Sequence, residues 1–109
     1  MADSNLFEEW AATIRQEIVQ AVHDALETLS AAALAQADLA AAEQFAQQQI
    51  QLGPLRERGY QQLITAQAHG GRRDEALATY AQLEALLEKE LGVSPSPAIT
   101  ALAIGRSHR

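Results

Sequence analysis

No glycine or proline occurs in the first 52 residues, and the first glycine, Gly53, is followed at once by Pro54. Early in this stretch, apolar residues recur at every third or fourth position, which is typical of one face of an α-helix. The spacing predicts one long helix over about residues 6–36. The face of this helix that is predicted to pack comprises Leu6, Trp10, Ile14, Ile18, Val22, Leu26 and Leu29.

Start signals divide the rest of the chain into four shorter helices. Asn5 and Glu8 have the spacing of a capping box at the start of the long helix. Asp38 is placed to cap a second helix over about 39–52, and Pro54 suits the first turn of a third over about 55–69. A fourth helix is predicted over about 73–91 and a short fifth over about 97–104.

Stop signals support the same boundaries. Gly70 or Gly71 provides a C-terminal glycine for the third helix, and Gly92 provides one for the fourth. Pro95 prevents the fourth helix from resuming, and Ser96 with Pro97 is typical of a new helix start.

The predicted core is built from small side chains. Apolar residues make up 48% of the chain and aromatic residues only 5%, so the helices must approach closely rather than pack around large rings. The inward-facing residues predicted for the second, third and fourth helices are Leu39, Ala42, Phe45, Ala46, Ile50, Leu55, Tyr60, Leu63, Ile64, Ala76, Leu77, Tyr80, Leu83, Leu87 and Leu91.

An internal repeat connects these helices. Ala42 and Ala76 are 34 residues apart, as are Leu26 and Tyr60. A 34-residue period made of two helices is the tetratricopeptide (TPR) spacing. We therefore predict a single all-α domain over residues 1–109. It is a TPR-like superhelix of about two helix pairs, with a long N-terminal helix and a short C-terminal capping helix. A generic helical bundle is the alternative.

Charge and composition narrow the classes of partner. The formal net charge is −6, which argues against binding of nucleic acid or an anionic membrane by this chain alone. There is no cysteine, no apolar run of membrane-spanning length and no pattern of a signal peptide. We expect a cytoplasmic protein.

Few residue patterns in the chain indicate catalysis or cofactor binding. His23 and Glu27 have the spacing of two metal ligands on one helix face, but without a third ligand they are interpreted as a solvated pair. The Gly70–Arg73 segment lacks the lysine of a phosphate-binding loop, and no catalytic triad is apparent. We expect no enzyme activity, no metal and no cofactor.

Two polar surfaces are possible binding sites. Arg56, Arg58, Arg72 and Arg73 are interpreted as solvated, although they are also candidates for an acidic partner. At repeat spacing, the first helix of each pair lines a concave face. The predicted protein-binding groove there comprises Glu27, Ala31, Leu34, Arg58, Gln61, Thr65 and His69. Plain solvent exposure is the competing interpretation.

A series of motifs resembles a known family. The residues are Pro54-Leu55-Arg56-Glu57, Gly71-Arg72, Glu75-Ala76-Leu77, Tyr80, Glu90-Leu91-Gly92-Val93 and Pro95-Ser96-Pro97, with "FEEWAATIRQEI" at 7–18. In this order and spacing they resemble the bacterial transcriptional activator domain of SARP-type regulators, those of the antibiotic regulatory protein type. Gly53 departs from the pattern, because the repeat often has Asp or His there, and it predicts weaker capping.

The resemblance implies the regulatory part of a longer transcription regulator, acting by protein–protein contact or oligomerisation. DNA would be bound only by a winged-helix domain outside this chain. Leu6, Phe7 and Trp10 are expected to form an interface with a protein partner or with a second copy in a homodimer. A TPR-like adaptor or oligomerisation module unrelated to transcription is the alternative.

Overall fold

The computed structural model describes residues 2–104, and all five of their regular elements are α-helices. The predicted all-α, TPR-like fold is confirmed. The helices are α1 (Ala2–Ala35), α2 (Leu39–Leu52), α3 (Glu57–His69), α4 (Arg73–Leu91) and α5 (Pro97–Ile104). Residue 1 and residues 105–109 lie outside the described part.

Each helix packs on the next one along the chain, and α3 also contacts both α1 and α5. This is the neighbour pattern of a helical repeat, in which α1, α3 and α5 are the first helices of successive units. The structure measures 63 × 33 × 18 Å along its principal axes. Its length follows from α1, whose 34 residues extend about 51 Å, far beyond the 14 residues of α2.

Helices α1, α3 and α4 end in related hydrogen-bonding arrangements. A backbone N–H beyond the end reaches five residues back after α1, from Asp38 to Ala33 at 2.8 Å, and five after α3, from Arg72 to Gln67 at 2.9 Å. After α4 it reaches six residues back, from Val93 to Leu87 at 3.4 Å. The residue before each such N–H has a positive φ. It is Gly71 (77°) after α3 and Gly92 (66°) after α4, but Ala37 (60°) after α1. These are glycine-type C-caps, one of them made by an alanine. Helix α2 ends differently, because its C-terminal glycine, Gly53, does not have a positive φ.

Three helix starts agree with the prediction, those of α2, α4 and α5, and two differ. Asp38 caps α2 by accepting from the Ala41 N–H at 3.3 Å, and α5 begins at Pro97 as predicted. The predicted Asn5 cap is wrong, because α1 already begins at Ala2. The predicted start of α3 at 55 is also wrong. Pro54 and Leu55 form a turn closed by the Arg56 N–H and the Gly53 carbonyl at 3.1 Å.

The main core lies between α3, α4 and α5. Its buried members are Tyr60, Ile64, Ala76, Leu83, Leu87, Ile99 and Ala103. A second cluster of Ala33, Ala42 and Ala66 lies where α1, α2 and α3 meet. Ala42 and Ala76, the pair that defined the repeat, are thus both buried. Leu55, Leu77 and Leu91 are exposed, so their predicted core positions are wrong.

The long helix packs through a different face from the predicted one. Its buried side chains are His23, Ser30 and Ala33, whereas Leu26 is only half-buried. The other six residues of the predicted packing face are exposed. Hydropathy favoured the large aliphatic residues, but α2 approaches α1 too closely for them. The face with the small side chains is therefore the one that packs.

Ala37 offers a direct test of the α1 end. A left-handed conformation costs an L-residue about 1–2 kcal/mol, which glycine does not pay. Ala37→Gly should therefore raise the free energy of unfolding by about 0.5–1 kcal/mol, measured by chemical denaturation. Ala32→Gly, in the regular part of α1, is the control and should lower it by about 1 kcal/mol. Equal losses in both variants would contradict the assigned cap.

Candidate interaction surfaces

Seven large apolar side chains of α1 are open to solvent. We call them the apolar stripe: Leu6, Phe7, Trp10, Ile14, Ile18, Val22 and Leu29. The predicted interface residues Leu6, Phe7 and Trp10 are more than 60% exposed, and Ile18 is 57% exposed. No side chain from Asn5 to Val22 is buried. The first half of α1 is therefore an uncovered arm with an apolar face.

The aromatic residues of the arm contact each other rather than the core. The ring centroids of Phe7 and Trp10 are 6.0 Å apart, with the planes tilted by 41°. This spacing is within the range of favourable aromatic pairs. The two rings thus form the terminal part of the apolar stripe and remain available to another molecule.

The residues of the predicted groove are only partly brought together. Arg58 on α3 donates to the Glu27 carboxylate at 3.0 Å and to the side-chain oxygen of Gln61 at 2.9 Å. The Thr65 hydroxyl donates to the Gln61 carbonyl at 2.8 Å. These four residues form one connected polar surface across α1 and α3. Its charged groups bind one another, so the groove offers little unmatched charge to a ligand.

The other groove residues lie further along the same face. Leu34 is half-buried and packs against the small-residue cluster where α1, α2 and α3 meet. Ala31 is exposed, and so is His69, the last residue of α3. That this surface binds a protein remains a prediction.

The four arginines do not converge on one site. Arg56 contacts the side chain of Gln20 on α1, Arg72 pairs with Glu43 and Glu75, and Arg73 contacts the Ile104 carbonyl. With Arg58 bound to Glu27, each guanidinium has a partner on a different part of the molecule. The four arginines connect different helices and loops through these contacts, and they do not form one anion-binding patch.

His23 is buried, and its interpretation as half of a solvated pair is wrong. Its side chain is 2% exposed, and its Nδ1 atom has no hydrogen-bond partner among the described residues. Its Nε2 atom lies against the backbone of Gly53, where an added methyl carbon would be only 2.6 Å away. A residue larger than glycine at position 53 would therefore collide with the imidazole of His23.

The surroundings of His23 disfavour its charged form. Burial lowers the pKa of the imidazole from its ordinary value, and the nearby Arg56 guanidinium lowers that pKa further. Asp24 and Glu27 on the same helix oppose the shift. Within residues 2–104 no three His, Cys, Asp or Glu side chains lie close enough to hold a metal ion. The position of His23 is thus that of a neutral packing group.

Sequence reasoning missed the packing roles of His23, Ser30 and Gln62. One signal was available: at the 34-residue offset Ser30 corresponds to Ile64, which is fully buried. The alignment therefore already placed Ser30 on the inner face, although its polarity hid this. The side-chain hydrogen bonds of Gln62 depend on helix geometry that spacing alone does not provide.

None of the five described helices is long and apolar enough to cross a membrane. This concerns the helices of residues 2–104 only.

The lowered pKa of His23 predicts a specific loss of stability in acid. The unfolded chain binds a proton near pH 6.5, and the folded chain binds it only at lower pH. The contribution of this lowered pKa to the stability of the folded state is complete above about pH 6.5 and declines as the pH falls below that value. Denaturant midpoints at about pH 7.5 and 5.5 should therefore differ more for the wild-type protein than for His23→Gln.

His69→Gln is the matched control, because His69 is exposed. It should keep the pH dependence of the wild-type protein. An unchanged pH dependence in His23→Gln would show that the buried imidazole does not couple folding to protonation.

Comparison with known proteins agrees with this architecture. The family described as "Bacterial transcriptional activator domain" matches residues 2–104. "Regulatory protein AfsR" of Streptomyces griseus and that of Streptomyces coelicolor (strain ATCC BAA-471 / A3(2) / M145) are each 49% identical to the chain over 49 residues. The match covers 45% of this chain and 5% of each relative. No solved structure matches the chain.

The family match spans all five helices, including the exposed arm of α1 and the capping helix α5. The predicted resemblance to the activator domain of SARP-type regulators is confirmed. The chain belongs to the bacterial transcriptional activator domain family.

Proposed function

We propose that this chain is the protein-interaction domain of a cytoplasmic bacterial transcription regulator. It acts by contact with a protein partner or a second copy, and it is neither an enzyme nor the DNA-binding part. Family membership and the similarity to proteins named as regulators support a role in transcription. The matched stretch covers only 5% of the length of those relatives. In this proposal, DNA binding belongs to a domain outside this chain.

The apolar stripe of α1 carries this proposal. Large exposed apolar surfaces on otherwise polar proteins commonly mark protein interfaces. Here seven such side chains share one helix, and the two aromatic ones lie at its exposed end. Aromatic side chains are enriched among the residues that contribute most to binding energy. The predicted interface residues Leu6, Phe7 and Trp10 are its terminal part.

Charge and arginine placement support contact with protein rather than with DNA. The net charge is −6, and a DNA-binding surface needs a positive patch. Arg58 and Arg72 pair with carboxylates, and Arg56 and Arg73 contact other groups of the chain. Nothing in this charge distribution favours a duplex, a metal or a cofactor.

A tethering experiment tests the proposed function. The complete chain is fused to a heterologous monomeric DNA-binding domain, and a reporter gene carries one operator or two. Activation from one operator reports contact with the transcription machinery. Cooperative occupancy of two operators reports contact between copies. We expect at least one of these signals, and we expect Ile18→Glu to remove it.

Gln16→Glu is the matched control, because it adds the same charge to an exposed position on another face of α1. It should keep the signal. The absence of both signals, or their persistence in Ile18→Glu, would contradict the proposal. The unfused chain should also give no sequence-selective anisotropy change with duplex DNA at physiological salt, and such a change would contradict its non-DNA-binding role.

A further inference from the structure

Five of the seven large exposed apolar residues of α1, together with two alanines, follow an eleven-residue period. Phe7, Ile18 and Leu29 are eleven apart. The pairs Ala11 with Val22 and Ile14 with Ala25 have the same spacing. We call these seven residues the seam: Phe7, Ala11, Ile14, Ile18, Val22, Ala25 and Leu29. Five of them belong to the apolar stripe, and the two alanines fill the gaps between them.

Eleven residues make three turns of 3.67 residues, close to the 3.6 of a straight α-helix. The seam therefore stays within an arc of roughly 80° along its whole length, at about 100° per residue. It extends about 33 Å from Phe7 to Leu29. A partner that covers it must itself be straight, apolar on one face and about as long.

The other helices of the chain do not supply that partner. The longest of them, α4, has 19 residues and is packed against α3 and α5. On a helical wheel the buried residues His23 and Ser30 lie about 120–140° from the middle of the seam. The large seam residues stay exposed beside α2, so α2 does not cover them. Among the helices of residues 2–104, α1 itself has the matching length and apolar face. A second copy of the chain therefore fits the seam.

Charges beside the seam select the direction of pairing. On the same wheel Arg15 lies about 20° outside one edge of the seam and Glu17 about 60° outside the other. Neither forms an ion pair within the described residues. In a parallel pair, opposite edges face each other, so Arg15 of each copy lies beside Glu17 of the other. An antiparallel pair centred on Ile18 would instead bring the two Glu17 side chains together. Opposite charges favour the parallel arrangement.

We propose that two copies of this chain pair in parallel and in register along the seam of α1, with Arg15 and Glu17 facing each other across both edges. The inference rests on the proposed function and adds the partner and the geometry. Neither body lies between the paired helices, since Ser30, which bonds to α2, lies about 120° from the middle of the seam. The concave surface of each copy stays free in this arrangement.

Cysteine cross-linking tests the arrangement, because the native chain has no cysteine. Ala11→Cys and Ala25→Cys each add one thiol to the seam at little change in size. In a parallel pair, each variant alone faces its own copy, and mild oxidation or a short bismaleimide should link it into a covalent dimer. Gln16→Cys, away from the seam, is the control and should remain uncoupled.

An antiparallel pair gives the opposite result. Residue 11 would then face residue 25, so each variant alone would stay uncoupled and only their mixture would cross-link. That pattern would overturn the parallel geometry. Linking of Gln16→Cys as fast as the seam variants would overturn the assignment of the seam.

Sedimentation of the intact chain over a range of concentrations tests the pairing itself. We expect a monomer–dimer equilibrium. Ile18→Glu should weaken it about 100-fold, because each dimer buries two copies of the side chain. Gln16→Glu should leave it unchanged. A chain that stays monomeric at all concentrations would overturn self-pairing. If the tethered chain still activated the reporter through an Ile18-dependent contact, the proposed function would stand with a different partner.

Discussion

The close approach of α1 and α2 determines the rest of the structure. The Ser30 hydroxyl of α1 donates to the Ala42 carbonyl of α2 at 3.0 Å, a contact between a short side chain and the backbone of another helix. Ala33, Ala42 and Ala66 fill the space where α3 meets the same pair. Larger residues at these positions would force the helices apart. The placement of α3, and through it of α4 and α5, depends on this small-residue contact.

Buried hydrogen bonds fix the register of the later helices. The Gln62 amide of α3 donates to the Glu27 carbonyl of α1 at 3.0 Å, and its side-chain oxygen accepts from Gln49 of α2. The Thr79 hydroxyl of α4 donates to the Gln67 side chain of α3 at 2.9 Å. Leaving such a buried group unpaired costs more than the bond itself contributes. These bonds therefore disfavour other alignments of the same helices. With α1 held through small and polar residues, its large apolar side chains remain outside.

The sequence was sufficient for the architecture because its signals are local. Asp38, Gly71, Gly92 and Pro97 act on their own helix ends through backbone conformation and capping, and the structure agrees with each. Hydropathy predicted the wrong packing face for α1. Leu29 is more apolar than Ser30, but Ser30 is the buried residue. Ala37 could not be recognised as a helix end, because alanine carries no signal for a positive φ. The groove residues followed from repeat geometry, but their mutual pairing depends on side-chain conformations that spacing does not determine.

The most direct test compares two neighbouring substitutions with opposite hydropathy, measured as the free energy of unfolding at concentrations where the chain is monomeric. Leu29→Ser makes an exposed residue polar and should change stability by no more than about 0.5 kcal/mol. Ser30→Leu makes a buried residue apolar and should cost about 1–3 kcal/mol, because it removes the bond to Ala42 and overpacks the contact. A large loss in Leu29→Ser together with unchanged or increased stability in Ser30→Leu would show that the apolar side of α1 faces the core. That result would contradict the account.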